Sequence, residues 1–268
     1  MSERLAKFMA RSGVCSRRRA EEYIRQKRVT VNGEIVDSPA FNVEGTEKIL
    51  FDGEKLPEIE TTRLWLYYKP VGLLTTHRDD QNRPTVFDSL PPFMPRVVSV
   101  GRLDLNSEGL LLLTNNGELS RKLELPENGW SRRYKVKVHG YVDLKKLSAL
   151  EKGAVVDGVS YGPVKAEVET EKGTNAWLIV TLSEGKNREI RKLMKSIGLD
   201  VARLIRLSYG PFQLGSLKKG EVREVPGKGK LNSYKSQHKN RQYFLHNRYF
   251  LMLLINFILF TLQITVEN

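Results

Sequence analysis

Cysteine is almost absent. With Cys15 alone among 268 residues, no intramolecular disulfide can form and a cysteine-rich zinc site is excluded, so a reducing compartment, the cytoplasm, is expected. Histidine is scarce too: between residues 63 and 226 only His77 and His139 occur, neither with a cysteine or second histidine at metal-ligand spacing. Both read as structural. Met1 to Ala20 lacks the continuous apolar core of a secretory signal. Acidic residues are outnumbered, 31 against 44 lysines and arginines, and the surplus points to a polyanionic partner rather than to any fold. The surplus is also local. Met1 to Arg28 carries nine basic and three acidic side chains, and Ser183 to Val225 ten against five, so two separated segments are cationic.

The length leaves room for one large and one small domain. The first sixty residues read as a compact α+β module. Leu5, Phe8 and Met9 have helical spacing, and Ser16 can cap a second helix whose Ala20, Tyr23 and Ile24 share a face. Asn32-Gly33, between Val29 to Val31 and Glu34 to Val36, tolerates the positive φ of a tight hairpin, and Asp52-Gly53 repeats the device. Pro57 to Thr62 is polar and aperiodic, a linker. Leu64 to Tyr68 then opens the larger domain as a buried strand that Lys69-Pro70 stops. Further strands are expected over Leu110 to Thr114, Tyr134 to Val138, Val164 to Glu169, Ala176 to Leu182 and Ala202 to Leu207. The elements lack a regular βαβ alternation, so an α+β fold with a mixed or antiparallel sheet flanked by helices is expected.

The clearest helix is Asn187 to Ile197. Arg188, Arg191, Lys192 and Lys195 fall on one face by spacing, and Ile190, Leu193, Met194 and Ile197 on another. Such a basic face is either solvated surface or a place for a phosphate backbone, which would relieve repulsion among like charges. Arg17, Arg18 and Arg19, consecutive after Ser16, present the same choice. Gly101-Arg102-Leu103-Asp104, followed by Ser107-Glu108-Gly109 and the apolar run Leu110 to Leu113, reads by itself as a turn before a buried strand, with Asp104 capping the turn.

A resemblance tips these choices. Arg4 to Phe41, through Arg4, Leu5, Lys7, Gly13, Ser16, Arg17, Arg18, Ala20 and the run Val29 to Gly33, is similar to the RNA-binding module known from a ribosomal protein of the small subunit, the S-four-like domain. The ungapped run Val98 to Gly117 resembles the signature of the ribosomal pseudouridine synthases, in the family whose A enzyme modifies small-subunit RNA and whose B enzyme modifies large-subunit RNA. Arg133 to Val138 resembles that family's second motif, Leu182 to Leu193 its third, and Lys69 to Gly72 its opening strand. The likeness covers roughly Glu3 to Val225. It implies a pseudouridine synthase catalytic domain over 63–226 behind an S-four-like domain over 1–60, a ribosomal RNA or ribosome-assembly intermediate as partner, a monomer, and no cofactor. Asn187 to Arg191 looks more like the family's B branch, so large-subunit RNA is preferred.

The resemblance also implies roles. Asp104 is the carboxylate at the sugar, Tyr134 stacks on the uracil, and Lys186 is the basic residue that pairs with Asp104. Ile190 packs against the base or the tyrosine. Arg102 holds the flipped nucleotide or fills the space it vacates. Arg188 and Arg191 go to phosphates, and Arg17, Arg18 and Arg19 grip RNA. A catalytically inactive RNA-binding protein would be expected to lack Asp104, Tyr134 or Lys186, and all three are present. An RNA methyltransferase would need a glycine-rich loop after a strand, and none is found.

In the tail, 227–268, the basic stretch Lys228 to Arg248 suits the family resembled, and Tyr249 to Val266, uncharged over eighteen residues, departs from it. Asn256, Thr261 and Gln263 weaken a membrane span, so a degenerate or disordered extension is expected.

Overall fold

A computed structural model describes residues 2–226. The expectations placed on the basic and apolar tail therefore lie outside the described residues. The chain divides into two units, one of Met1–Arg63 with Pro92–Val98 and Thr114–Leu119, the other of Leu64–Pro91, Ser99–Leu113 and the chain from Ser120.

In the first unit, α1 (Leu5–Arg11) and α2 (Arg17–Arg25) precede a four-stranded sheet. Its strands are β1 (Val29–Val31), β2 (Glu34–Val36), β3 (Ile49–Phe51) and β4 (Glu54–Lys55), in the order β2-β1-β3-β4. Ser16 caps α2, its Oγ accepting the Arg19 N–H at 3.2 Å, which satisfies a donor the helix itself cannot. Both hairpins form as expected, with Asn32 at φ 51° and Asp52 at φ 51°. Leu5, Met9, Ala20, Ile24, Val29 and Ile49 share one core. Cys15 belongs to it, and burial pushes its thiol pKa up, so the lone cysteine is a packing residue.

The second unit is built on a nine-stranded sheet. Its principal strands and helices, in chain order, are β5 (Leu64–Lys69), β6 (Glu108–Thr114), α3 (Gly117–Glu124), β7 (Arg132–His139), α4 (Leu144–Ala149), β8 (Val164–Lys172), β9 (Asn175–Leu182), α5 (Glu189–Ser196), β10 (Asp200–Tyr209) and β11 (Val222–Glu224). Their order across the sheet is β8-β9-β7-β10-β6-β5-β11. Pairs β8/β9, β9/β7, β7/β10 and β11/β5 are antiparallel and β10/β6 is parallel, so the sheet is mixed. On β7 the alternation is plain: Tyr134, Val136 and Val138 are buried while Arg133 and His139 are exposed. In β6 every residue is buried, as a central strand covered on both faces requires.

The α5 expectation needs correction. The helix begins at Glu189 because Arg188 lies in the left-handed region at φ 53°, and a residue so turned cannot continue a right-handed helix. Arg188 therefore does not share a helical face with Arg191, Lys192 and Lys195.

The parallel seam between β6 and β10 depends on Gly109. A Cβ there would collide with the Arg206 carbonyl oxygen and lie 2.7 Å from its backbone nitrogen, and Gly109 holds φ +103°. Only glycine allows both. Gly109→Ala is expected to cost about 3 kcal/mol and to lower the thermal midpoint by roughly 10 °C; a midpoint unchanged in a thermal melt would contradict this close approach.

Candidate active site

Asp104 stands in the loop that leads into β6, half-buried. The backbone on either side of it is held unusually fully. All five carbonyl oxygens from Leu103 to Ser107 accept a hydrogen bond from elsewhere in the unit. Thr75 Oγ1 donates to Leu103 O at 2.8 Å, Gly72 N to Leu105 O at 2.9 Å and Arg191 Nη2 to Asn106 O at 2.8 Å. Lys69 Nζ serves two, Asp104 O at 3.1 Å and Ser107 O at 2.9 Å, and gives its third bond to Pro70 O at 3.0 Å. The side chain of Lys69 is wholly buried. A loop whose carbonyls are all engaged has little freedom, so the carboxylate it carries is aimed before any substrate arrives.

Lysine rather than arginine suits the position, because an ammonium directs three donors outward from one point. Sequence reasoning missed it, reading Lys69-Pro70 only as a strand stop. The available signal was a lysine continuing an apolar strand, where the next residues could supply only carbonyls.

The cations in the field of Asp104 are Lys69 and Arg191. Arg191 turns inward from α5, donating from Nη1 to Val201 O at 2.9 Å as well as from Nη2 to Asn106 O. Burial pushes its pKa down, the neighbouring Arg188 adds to that, and Asp104 opposes both. Arg191 is thus occupied within the protein, and its expected role at a phosphate gives way.

Lys186 is placed elsewhere as well. Its ammonium donates to Ser160 O at 2.7 Å, pairs with Glu184 at 2.7 Å and lies over the Tyr161 ring at 5.6 Å. The expected pairing of Lys186 with Asp104 is therefore corrected; Arg191, which braces Asn106 O two residues beyond Asp104, is an arginine whose charge reaches that carboxylate. The reason is local: the exposed turn before α5 points Lys186 at the nearest carboxylate, Glu184, whereas Arg191 sits one turn into a helix packed on β10. The same turn is braced by Glu189, whose buried carboxylate accepts the Lys186 N–H at 2.9 Å, and by Arg132, which donates to Ser183 O at 2.8 Å and to Glu184 O.

Tyr134 is 8% exposed and stands opposite Val180 on β9 and Arg206 on β10. Ile190 is buried in α5, and Arg102 is exposed two residues before Asp104. The strands also carry an ion cluster. Glu108, 2% exposed, pairs with Lys219 at 3.0 Å and with Arg203, and accepts from Tyr68 Oη at 3.2 Å. Burial alone would raise its pKa; the bonds from Arg203 and Lys219 outweigh that and hold it below the ordinary carboxylate value.

In the first unit Arg17, Arg18 and Arg19 are all exposed at the start of α2. Arg19 donates from Nε to Tyr23 Oη at 3.0 Å, and Arg28 is held by Asp52 while lying over the Tyr23 and Phe51 rings at 4.4 and 4.9 Å. Arg17 and Arg18 have no ion pair among the described residues.

These two units match two family models: RNA pseudouridylate synthase over residues 63–196, and the S4 domain over residues 3–49. An RNA pseudouridine synthase of Rickettsia bellii is 49% identical over 226 residues, which is 84% of this chain and 98% of that protein. The chain belongs to the RNA pseudouridylate synthase family. A ribosomal large subunit pseudouridine synthase B of Yersinia pestis is 42% identical over 221 residues, 80% of this chain and 69% of that protein. A crystal structure of a pseudouridylate synthase aligns over 83% of this chain and 96% of its own with a TM-score of 0.58 at 30% identity.

For a pseudouridylate synthase the state of Lys69 matters, because it grips the loop of Asp104. Burial brings its pKa down to about 8, against the opposing pull of Asp104 and Glu108. As pH rises through 8 the amine loses a donor, so the loop loses a clasp. Stability moves the other way: between about pH 8 and 10.5 the unfolded chain binds the proton and the folded chain does not, and that difference favours the fold as pH rises. The single-turnover rate of pseudouridine formation is expected to fall above pH 8 with no loss of thermal midpoint on this account. Lys69→Met should be slow and free of that pH step; a step of the same size in Lys69→Met would assign it to another group.

Proposed function

We propose that this protein isomerises a specific uridine of ribosomal RNA, in the large subunit, to pseudouridine. In this reading residues 1–60 form the RNA-binding domain and 63–226 the catalytic domain of a cytoplasmic monomer. The observation that carries it is the clasped loop that carries Asp104, held by Lys69 and Arg191 and lying within the reach of their charges. The naming of the Yersinia relative for the large ribosomal subunit supports the choice of RNA.

The reaction breaks the bond from N1 to C1′, turns the uracil and joins C5 to the same carbon. It needs a carboxylate at the sugar, a surface for the loose base and a group for the proton at C5. Asp104 serves at the sugar, either by attack on C1′ or by taking a sugar proton. It must be ionised to do so, and Arg191 Nη2 braces the loop that carries it at Asn106 O. Tyr134 gives the base a flat apolar surface, with Ile190 beside it. Arg102, exposed next to the loop, holds the flipped nucleotide, whose unstacking costs roughly a few kcal/mol. Lys186 and Arg188, on the outer turn, face the RNA backbone, while Arg17, Arg18 and Arg19 anchor the RNA on the smaller domain.

Asparagine keeps the shape of Asp104 without its charge. Asp104→Asn is expected to slow pseudouridine formation by roughly a thousandfold or more while leaving RNA affinity and fold unchanged. Arg191→Met should lose the chemistry nearly as fully, and Lys186→Met should lose under about tenfold. The check is a single-turnover rate at saturating enzyme, and near wild-type turnover by Asp104→Asn would sink the reading. Mapping pseudouridine in ribosomal RNA from cells with and without the gene identifies the uridine.

Binding is expected to separate from chemistry. Replacing Arg17, Arg18 and Arg19 with alanine should weaken RNA binding and flatten its dependence on salt, each lost phosphate contact removing about 0.7 to 0.9 from the slope of log affinity against log salt. Most of that loss is expected from Arg17 and Arg18, since Arg19 is engaged by Tyr23. A salt titration of affinity decides it, and an unchanged slope would leave the triplet as solvated surface.

A further inference from the structure

Arg206 is a buried cation that the roles above leave unused. It is 3% exposed, stands in the middle of β10, and has no carboxylate partner among the described residues. Its Nε donates to Leu110 O at 2.7 Å, its guanidinium lies over the Tyr209 ring at 5.2 Å, and its Nη2 is buried with no hydrogen-bond partner. A buried arginine normally meets an acceptor on every inward nitrogen and a carboxylate nearby. This one meets neither, and its positive charge stays unneutralised.

Its position gives that charge a use. Arg206 is the direct cross-strand partner of Tyr134, and directly opposed residues of an antiparallel pair share a face with side chains about 5 Å apart. Its field also reaches Lys69, the residue that grips the loop of Asp104. The stacking surface and the unpaired guanidinium thus share one face of one sheet, within the field of the loop clasp.

We propose that Arg206 stabilises the negative charge that the uracil takes on as it leaves the sugar. This rests on the reading of Asp104 and Tyr134 given above. When N1–C1′ breaks, the bonding pair stays with the uracil, which becomes an anion spread over N1 and the oxygens on C2 and C4. C1′ is satisfied by an ester bond to the Asp104 carboxylate, or by a double bond to C2′ whose proton passes to that carboxylate. Either way one negative charge moves from Asp104 to the base. An unneutralised cation fixed beside the base favours that transfer, and costs no rearrangement at the moment of reaction. When C5 then bonds to C1′ the pair returns and Asp104 is regenerated, by cleavage of the ester or by return of its proton to C2′, and the hydrogen on C5 leaves as a proton while N1 takes one up.

The test varies the leaving base. A fluorine at C5 withdraws electrons and makes the uracil a better-stabilised anion, which lessens the need for outside charge. Single-turnover loss of the N1-linked nucleoside is measured by nuclease digestion and mass spectrometry, on RNA carrying uridine or 5-fluorouridine, with wild type, Arg206→Met and Arg206→Lys. Arg206→Met is expected to be slowed by about a hundredfold on uridine and at least tenfold less on 5-fluorouridine, with partial recovery when guanidinium ion is added. Arg206→Lys keeps a charge and should lose less with the same fluorine dependence; it also serves if Arg206→Met does not fold, as judged by its melt. Equal losses on the two RNAs, or no loss on uridine, would overturn the proposal and leave Arg206 as a brace between β10 and β6. Wild type inactive on both RNAs would instead sink the reading of the site itself.

Discussion

The backbone of Leu103 to Ser107 cannot choose its own shape, and the site depends on that constraint. Five successive carbonyls accept from four residues in two stretches of chain: Lys69 at the end of β5, which serves two, Gly72 and Thr75 just beyond it, and Arg191 in α5. An isolated loop of this length would lose backbone entropy of roughly 1–2 kcal/mol per residue on being fixed. Here the cost is met by folding, since every donor belongs to an element that the sheet already holds. Asp104 is therefore positioned by the same contacts that join β5, α5 and the start of β6.

Two cations do this work in different ways. Lys69 supplies point donors from within the sheet and is fully buried, which strains its protonation and ties the loop to pH. Arg191 supplies a planar fork, keeps its charge when buried, and so can both brace Asn106 and Val201 and face Asp104. Interchanging the two would fail on both counts.

Much of the fold was legible because it is written in local patterns. The two Asx-Gly hairpins, the cap at Ser16 and the alternation along β7 each require only neighbouring residues to be read. The apolar run Leu110 to Leu113 told of a buried strand for the same reason. The site was legible in its segments but not in its pairings. Asp104, Tyr134 and the Lys186 to Arg191 stretch were all singled out; where Lys186 and Arg191 point depends on how α5 begins. That start is set by Arg188 at φ 53° and by the bond from Lys186 N to Glu189, and no helical periodicity announces either. Lys69 escaped notice because its three acceptors are backbone atoms, which carry no residue-type signal at all.

The sheet holds its charges in two ways. Glu108 is answered by Arg203, Lys219 and Tyr68, and the two cations of that set keep much of their solvent, 42% and 53% exposed. Lys69 and Arg206 are buried and have no ion pair among the described residues. A surplus of buried positive charge lowers stability in the empty protein, because each cation is desolvated without full compensation. It is tolerable where an anion is expected to form or to arrive, and a base leaving with its bonding pair is such an anion. The contrast is thus between cations that keep their solvent, Arg203 and Lys219, and cations buried without an ion pair, Lys69 and Arg206, and only the second kind has charge to offer an anion that forms beside it.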